Sequence, residues 1–232
     1  MSKICFINQA AGLGDILFCQ KIGYCFQQRG YRIIWPVIPQ YADIGMYLKN
    51  FEYPSLDKDF EGKDYYTKHS KRDASVQVDG DMMLVSLHSM DRGQGVMIAK
   101  YQFVNEDWTD WINYFRFERN KVRENELYEY LGLANRDYRL VNHYYASVPD
   151  VLYKAFDVPI DMEIIELSIK EGYSVFDWCK VLEDAKAIDT VSTVFLYLFE
   201  KLALKMPINI YKRDCNDFAK IEPLFKTKFG WK

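Results

Sequence analysis

Residues Lys3 to Asn8 form a short apolar run that ends in a glycine-containing turn, Gln9-Ala10-Ala11-Gly12-Leu13-Gly14-Asp15. A helical stretch follows in which Ile16, Leu17, Ile22 and Phe26 share one apolar face, and it closes near Arg29-Gly30. Tyr31 to Pro36 then reads as a second strand. Strand, glycine turn, helix and strand in this order make a βαβ unit. The helix carries the chain back to the end from which it started, so the two strands pair parallel with a right-handed crossover. Everything downstream has to be compatible with an open parallel sheet.

The rest of the chain continues the alternation. Gln40 to Lys49 reads as a helix, the charged stretch from Asp57 to Asp73 as a surface excursion, and Met82 to Leu87 as a third strand. Trp108 to Phe117 is aromatic and partly helical. Arg119 to Leu131 is a helix with Val122, Leu127, Tyr130 and Leu131 as its apolar members, closed by Gly132. A second α/β series begins with a strand at Tyr138 to His143. Further strands are expected at Met162 to Leu167, Ala187 to Val191 and Pro207 to Tyr211. Ser174-Val175-Phe176-Asp177 is a capping signal that opens a helix through Asp184. Ser192 opens a helix through Ala203 that is apolar almost all round and therefore buried, and Asn216 to Phe229 reads as a short amphipathic helix. The fold expected is α/β, with two facing Rossmann-like domains built on parallel sheets. Their ranges are 1–135 and 136–232, with the last helix free to pack back on the first domain.

Composition narrows the function. The 232 residues, nearly half of them apolar, suffice for two cores. The net charge of −3 comes from interspersed signs with no basic stripe, which argues against a nucleic-acid partner. No apolar run approaches the roughly 20 residues that a membrane-spanning helix needs, and the amino end reads as a buried strand, not a signal peptide. Cysteines are odd in number and lack a Cys-x-x-Cys pair, and the histidines are scattered, so neither a disulfide framework nor a metal site is expected. Reduced thiols fit a cytoplasmic location.

Three segments could carry chemistry. Gly12-Leu13-Gly14-Asp15 lies at a strand–helix junction, where glycine lets backbone approach a ligand and the helix start offers free N–H donors. Leu17 stands where a dinucleotide fingerprint needs a third glycine, and no Gly-Lys-Ser/Thr is present, so both common nucleotide motifs fail. The same spacing also suits a plain tight turn with Asp15 as a helix-start carboxylate. Asp189-Thr190-Val191-Ser192-Thr193 puts hydroxyls and N–H groups at a helix start, a natural phosphate site or simply a cap. Glu166 to Tyr173 offers Ser168 and Lys170 after a strand, as a ligand grip or a solvated loop. His88 and His143 both follow strand ends. Asp79-Gly80-Asp81 precedes a strand and reads as a turn, not a metal motif.

Together these segments resemble glycosyltransferase family 9, the heptosyltransferase-like group with the GT-B fold. The similarity lies in the Gly-x-Gly-Asp turn after the opening strand, and in Asp189-Thr190-Val191-Ser192-Thr193 before the apolar Phe195-Leu196-Tyr197-Leu198. It extends to the strand Pro207 to Tyr211 after that helix. The glycine and histidine usual in the second motif are absent here. The resemblance implies a nucleotide-diphosphate sugar as donor substrate, with no further cofactor and no metal. Donor contacts would come from Gly12, Gly14, His143, Ser168, Lys170, Asp189, Thr190, Ser192 and Thr193, mainly in the C-terminal half. The N-terminal half would bind a glycan or glycolipid acceptor, whose hydroxyl Asp15 would deprotonate, with inversion at the anomeric carbon. The other readings are a non-catalytic nucleotide- or sugar-binding module and an assembly protein of the same architecture. The sequence does not specify an oligomeric state.

Overall fold

A computed structural model describes residues 3–71, 73–88, 95–147, 150–213 and 218–232. The chain divides into two compact units, Met1–Glu118 and Arg119–Lys232, each of them α/β.

The first unit runs β1 (Lys3–Asn8), α1 (Leu13–Phe18), α2 (Gln20–Gln28), β2 (Tyr31–Ile34), α3 (Lys63–His69), β3 (Ser75–Asp79), β4 (Met82–Ser86) and α4 (Val96–Phe103). Its sheet has the order β2-β1-β4-β3, with β1 parallel to both neighbours and β3 antiparallel to β4. Central β1 is buried from Ile4 to Asn8 because layers cover both of its faces. Ile4 and Phe6 turn one way, into a cluster with Ile34, Leu84, Tyr65 and Tyr66. By the alternation of a strand, Cys5 and Ile7 turn the other way.

The expected βαβ unit is present, with its helix broken at Cys19 into α1 and α2. The Asp57–Asp73 stretch is not merely a surface excursion. It contains α3, whose Tyr65 and Tyr66 pack on Phe6 while the charged side chains that dominate the sequence signal sit elsewhere on the helix. The expected helix at Gln40–Lys49 is a 3-10 stretch, Pro39–Met46. Strand β3 was not expected. It is an edge strand with Val76 and Val78 exposed, so it lacks the inward apolar alternation that marks a strand. Asp79-Gly80-Asp81 is indeed a turn, joining β3 to β4.

The second unit runs α5 (Lys121–Tyr130), β5 (Tyr138–Asn142), β6 (Tyr144–Ser147), β7 (Asp150–Tyr153), β8 (Glu163–Glu166), α6 (Cys179–Asp184), β9 (Ala187–Val191), α7 (Phe195–Leu202), β10 (Ile208–Tyr211), α8 (Phe218–Ile221) and β11 (Gly230–Trp231). Five parallel strands in the order β11-β10-β9-β5-β8 form its sheet, and β6 and β7 make a separate hairpin. The sequence reading sets the boundary at 135, after α5, whereas the contacts group this helix with the second unit. Its buried residues are Glu124 and Leu127, while Val122 and Tyr130 face outward. Glu124 can be buried because Arg119 donates to it from Nε at 2.7 Å and again from Nη2. The capping signal at Ser174 is realised. Asp177 Oδ2 accepts from the Ser174 N–H at 2.9 Å and from Arg123 Nε at 3.0 Å, which ties α5 to the turn ahead of α6.

Helix α7 starts at Phe195, later than Ser192, with Phe195, Leu196, Leu198 and Phe199 buried. The expected helix at Asn216–Phe229, whose first two residues lie outside the described ones, is only the single turn α8 and a 3-10 turn. The chain then adds β11 beside β10. Glu200 of α7 holds this tail by accepting the N–H groups of Lys226 and Thr227, each at 2.9 Å.

A charged network lies within the sheet. Arg139 on β5 donates through Nη1 to Asp189 on β9 and through Nη2 to Asp161 at 3.2 Å. Asp189 is fully buried, and its other oxygen accepts from Asn209 Nδ2 at 2.9 Å and from the Tyr211 hydroxyl at 3.3 Å. Burial works against the Arg139 charge, but Asp189 and Asp161 outweigh it and raise the guanidinium pKa above its usual value. Breaking such a pair from one side strands a buried charge, at about 3–5 kcal/mol. Arg139→Met is therefore expected to lower the unfolding free energy from urea melts by that amount, with a lower midpoint, and the added change Asp189→Leu to recover much of it. A wild-type midpoint for the single variant would contradict this role.

Candidate active site

Gly12 caps α1 in the left-handed region, at φ 78° and ψ 83°. Two constraints demand glycine here. One is this dihedral. The other is Asp15, whose Oδ2 lies 2.7 Å from the place a Cβ on residue 12 would occupy. Gly14 and Asp15 are in the first turn of α1, and the turn is closed by the Ile16 N–H donating to the Gly12 carbonyl at 3.1 Å. The Asp15 carboxylate thus sits over the glycine turn at the carboxyl end of β1, 30% exposed.

Its other oxygen, Oδ1, is ion-paired with Lys100 Nζ from α4. That lysine side chain is only 3% exposed, and its ammonium also donates to Gln9 Oε1 at 2.7 Å. Gln9 is itself fixed. Its Nε2 donates to the Ala11 carbonyl at 2.6 Å, and its own carbonyl accepts from the buried indole of Trp35 at 3.0 Å. Tyr41 approaches from the 3-10 stretch. Its hydroxyl pKa is raised by burial and by the Asp15 charge, partly offset by a backbone hydrogen bond from Leu13. Burial pushes the Cys19 thiol up to about 12, so it is a neutral thiol near the pair and no nucleophile at neutral pH.

The remaining candidates lie in the second unit, at or beside the carboxyl ends of three adjacent strands, β8, β5 and β9. This edge is where open parallel sheets bind ligands. His143 follows β5. Its ring packs on Phe156, with centroids 4.1 Å apart, and Nδ1 lies 3.0 Å from the Lys154 carbonyl oxygen. Phe156 in turn stacks on Tyr211 at 3.7 Å and 7°. After β8, Lys170 Nζ donates to Ser168 Oγ at 2.8 Å. Ser192 and Thr193 link β9 to α7, and the Thr193 hydroxyl is enclosed without a hydrogen-bond partner among the described residues. The structure therefore gathers His143, Ser168, Lys170, Ser192 and Thr193 along one edge. Asp189 and Thr190 differ. Both are fully buried in β9, Asp189 committed to Arg139, Asn209 and Tyr211, and the Thr190 hydroxyl to the Val191 carbonyl at 2.9 Å. Gly12, Gly14 and Asp15 belong to the first unit. His88 follows β4 and is half-buried.

Sequence reading missed Lys100, Gln9, Tyr41 and Arg139. A signal for Lys100 was present, since it is the lone charge in the apolar stretch Val96-Met97-Ile98-Ala99-Lys100-Tyr101. A lysine that is buried must have a partner. Among the described residues, no group of three or more His, Cys, Asp or Glu side chains is placed to hold a metal ion, and no helix is long and apolar enough to cross a membrane. Cys5, Cys19, Cys25 and Cys179 are free thiols, and Cys215 lies outside the described residues.

No protein-family model matches the chain, and no curated protein matches it in sequence. Solved structures do match in fold. A glycosyl transferase family 9 protein from Veillonella parvula superposes with a TM-score of 0.56 over 99% of this chain and 86% of its own, at 11% identity. TibC, an iron-containing dodecameric glycosyltransferase from enterotoxigenic E. coli, gives 0.50 over 90% of this chain at 10% identity. The chain spans 58% of the TibC length. Both matches cover nearly the whole chain, so its fold is the one seen in these glycosyltransferase structures.

Proposed function

We propose that this chain is a glycosyltransferase of the GT-B type, moving a sugar from a nucleotide-diphosphate donor to an acceptor hydroxyl. The observation that carries the reading is Asp15, a carboxylate at the carboxyl end of β1 with one oxygen tied to Lys100 and the other over Gly12. A general base needs such placement, within hydrogen-bond reach of the proton it removes. Oδ2 accepts the proton of the acceptor hydroxyl. The acceptor oxygen then forms its bond to the anomeric carbon from the face opposite the leaving group. The bond from that carbon to the phosphate oxygen breaks, its electron pair leaves with the nucleoside diphosphate, and the configuration inverts.

The diphosphate lies in the second unit, against Ser192 and Thr193 at the approach to α7, with Ser168 and Lys170 from the end of β8 and His143 from the end of β5. The positive end of the α7 helix dipole and a lysine ammonium supply the positive field for the departing charge, which makes the reaction metal-independent. The first unit takes the acceptor, a glycan or glycolipid, with the glycine turn bringing backbone close to the reacting sugar. The work takes place in the cytoplasm.

Two variants test the two halves of this reading separately. Asp15→Asn keeps size and leaves the second unit untouched, so nucleotide affinity stays near wild type while transfer falls about a hundred- to ten-thousandfold, and thermal stability drops because the buried Lys100 ammonium loses its counter-charge. Wild-type turnover would reduce Asp15 to a helix-start carboxylate. Replacing Ser192 and Thr193 together by Ala is expected to weaken nucleotide binding roughly ten- to a hundredfold by calorimetry. Unchanged affinity in a folded protein would count against the donor placement. A thermal-shift screen with UDP, GDP, ADP, CMP and dTDP identifies the nucleotide to use, because a ligand of the native state raises its stability.

A further inference from the structure

We infer that Lys100 is the positioning residue of the reaction, acting on the acceptor's proton only through Asp15; this rests on the proposed base role of Asp15. The ammonium is 3% exposed, so it does not reach a bound acceptor, and the partners that hold it are Asp15 Oδ1 and Gln9 Oε1. Helix α4 grips α1 at both ends. Lys100 takes the carboxylate in the first turn, and the neighbouring Tyr101 hydroxyl donates to the Phe18 carbonyl in the last residue at 2.6 Å, with the Phe18 and Tyr101 rings edge-to-face at 5.1 Å. The lysine is braced in turn through Gln9, whose backbone is pinned by Trp35.

This arrangement divides the labour of the carboxylate. Oδ1 is occupied by the ammonium, and Oδ2, over the glycine turn, is left as the oxygen that takes a proton. Without Lys100 the carboxylate is free to rotate about its Cβ–Cγ bond and to swing away from the turn, and it loses the fixed approach on which the reaction depends. A misplacement of about 1 Å can cost a hundredfold in rate.

The test is a double-mutant cycle on kcat, with nucleotide affinity and thermal stability measured alongside. Lys100→Met is expected to lower kcat roughly ten- to a hundredfold while leaving nucleotide affinity unchanged, and to cause almost no further loss in an Asp15→Asn background. An equal loss in both backgrounds would show a merely structural lysine and overturn the inference. So would a wild-type kcat for Lys100→Met beside an inactive Asp15→Asn. Wild-type turnover by Asp15→Asn is a separate outcome, and it removes the base role on which the inference stands. Should Lys100→Met fail to fold, Gln9→Leu replaces it in the same cycle, since it unbraces the ammonium and leaves the pair itself intact. The expected loss is smaller and again confined to the Asp15 background.

Discussion

An ammonium closed off from water needs a counter-charge and hydrogen-bond acceptors, or it cannot stay charged. In the first unit Lys100 meets that demand with Asp15 and Gln9, and the geometry of the glycine turn follows from it. The carboxylate has to stand over residue 12, so residue 12 can have no Cβ. The turn has to hold its left-handed cap, so α1 starts where it does and its first turn faces the carboxyl end of β1. A buried pair of this kind adds little stability over an apolar substitute. What it does add is a fixed position for one carboxylate that stays 30% exposed.

The second unit contains a similar pair put to a different use. Asp189 also meets a cation, Arg139, but it lies inside a strand, fully buried, with Asn209 and Tyr211 on its other oxygen. No part of that carboxylate is left for a ligand. The pair fastens β5, β9 and β10 to one another, and the loops at the ends of these strands are left to present His143, Ser192 and Thr193. Burial separates the two cases: an aspartate that keeps some exposure can do chemistry, and one fully buried among its donors holds the sheet.

Much of this was legible in the residues, and the failures have physical causes. The βαβ start was readable because β1 and the α1–α2 face are apolar at their own periods, and the capping box at Ser174 because its chemistry is local. The positions of the parallel strands β5, β8, β9 and β10 followed from short apolar runs. Elements whose stability comes from distant partners were hidden. Helix α3 is mostly polar and docks through two tyrosines, the edge strand β3 exposes its valines, and β11 is two residues paired to β10. The short amphipathic helix expected near the end is cut to the single turn α8, since Glu200 captures the backbone beyond it. At the site, the glycine turn and the strand ends could be found from spacing, but Lys100 and Asp15 are separated by too much chain for spacing to join them. Only an ammonium in an apolar segment hinted that a carboxylate had to be nearby.

The central claim, that the carboxyl edge of the second unit's sheet holds a nucleoside diphosphate, is tested most directly by backbone amide NMR. The protein would be titrated with the nucleotide that stabilises it most. The account predicts that the largest shifts fall on Ser168, Lys170, Ser192, Thr193 and the first turn of α7, with the amino ends of the same strands unmoved. Shifts confined to those amino ends, or saturating binding that leaves the amides around Ser168 and Ser192 in place, would contradict it.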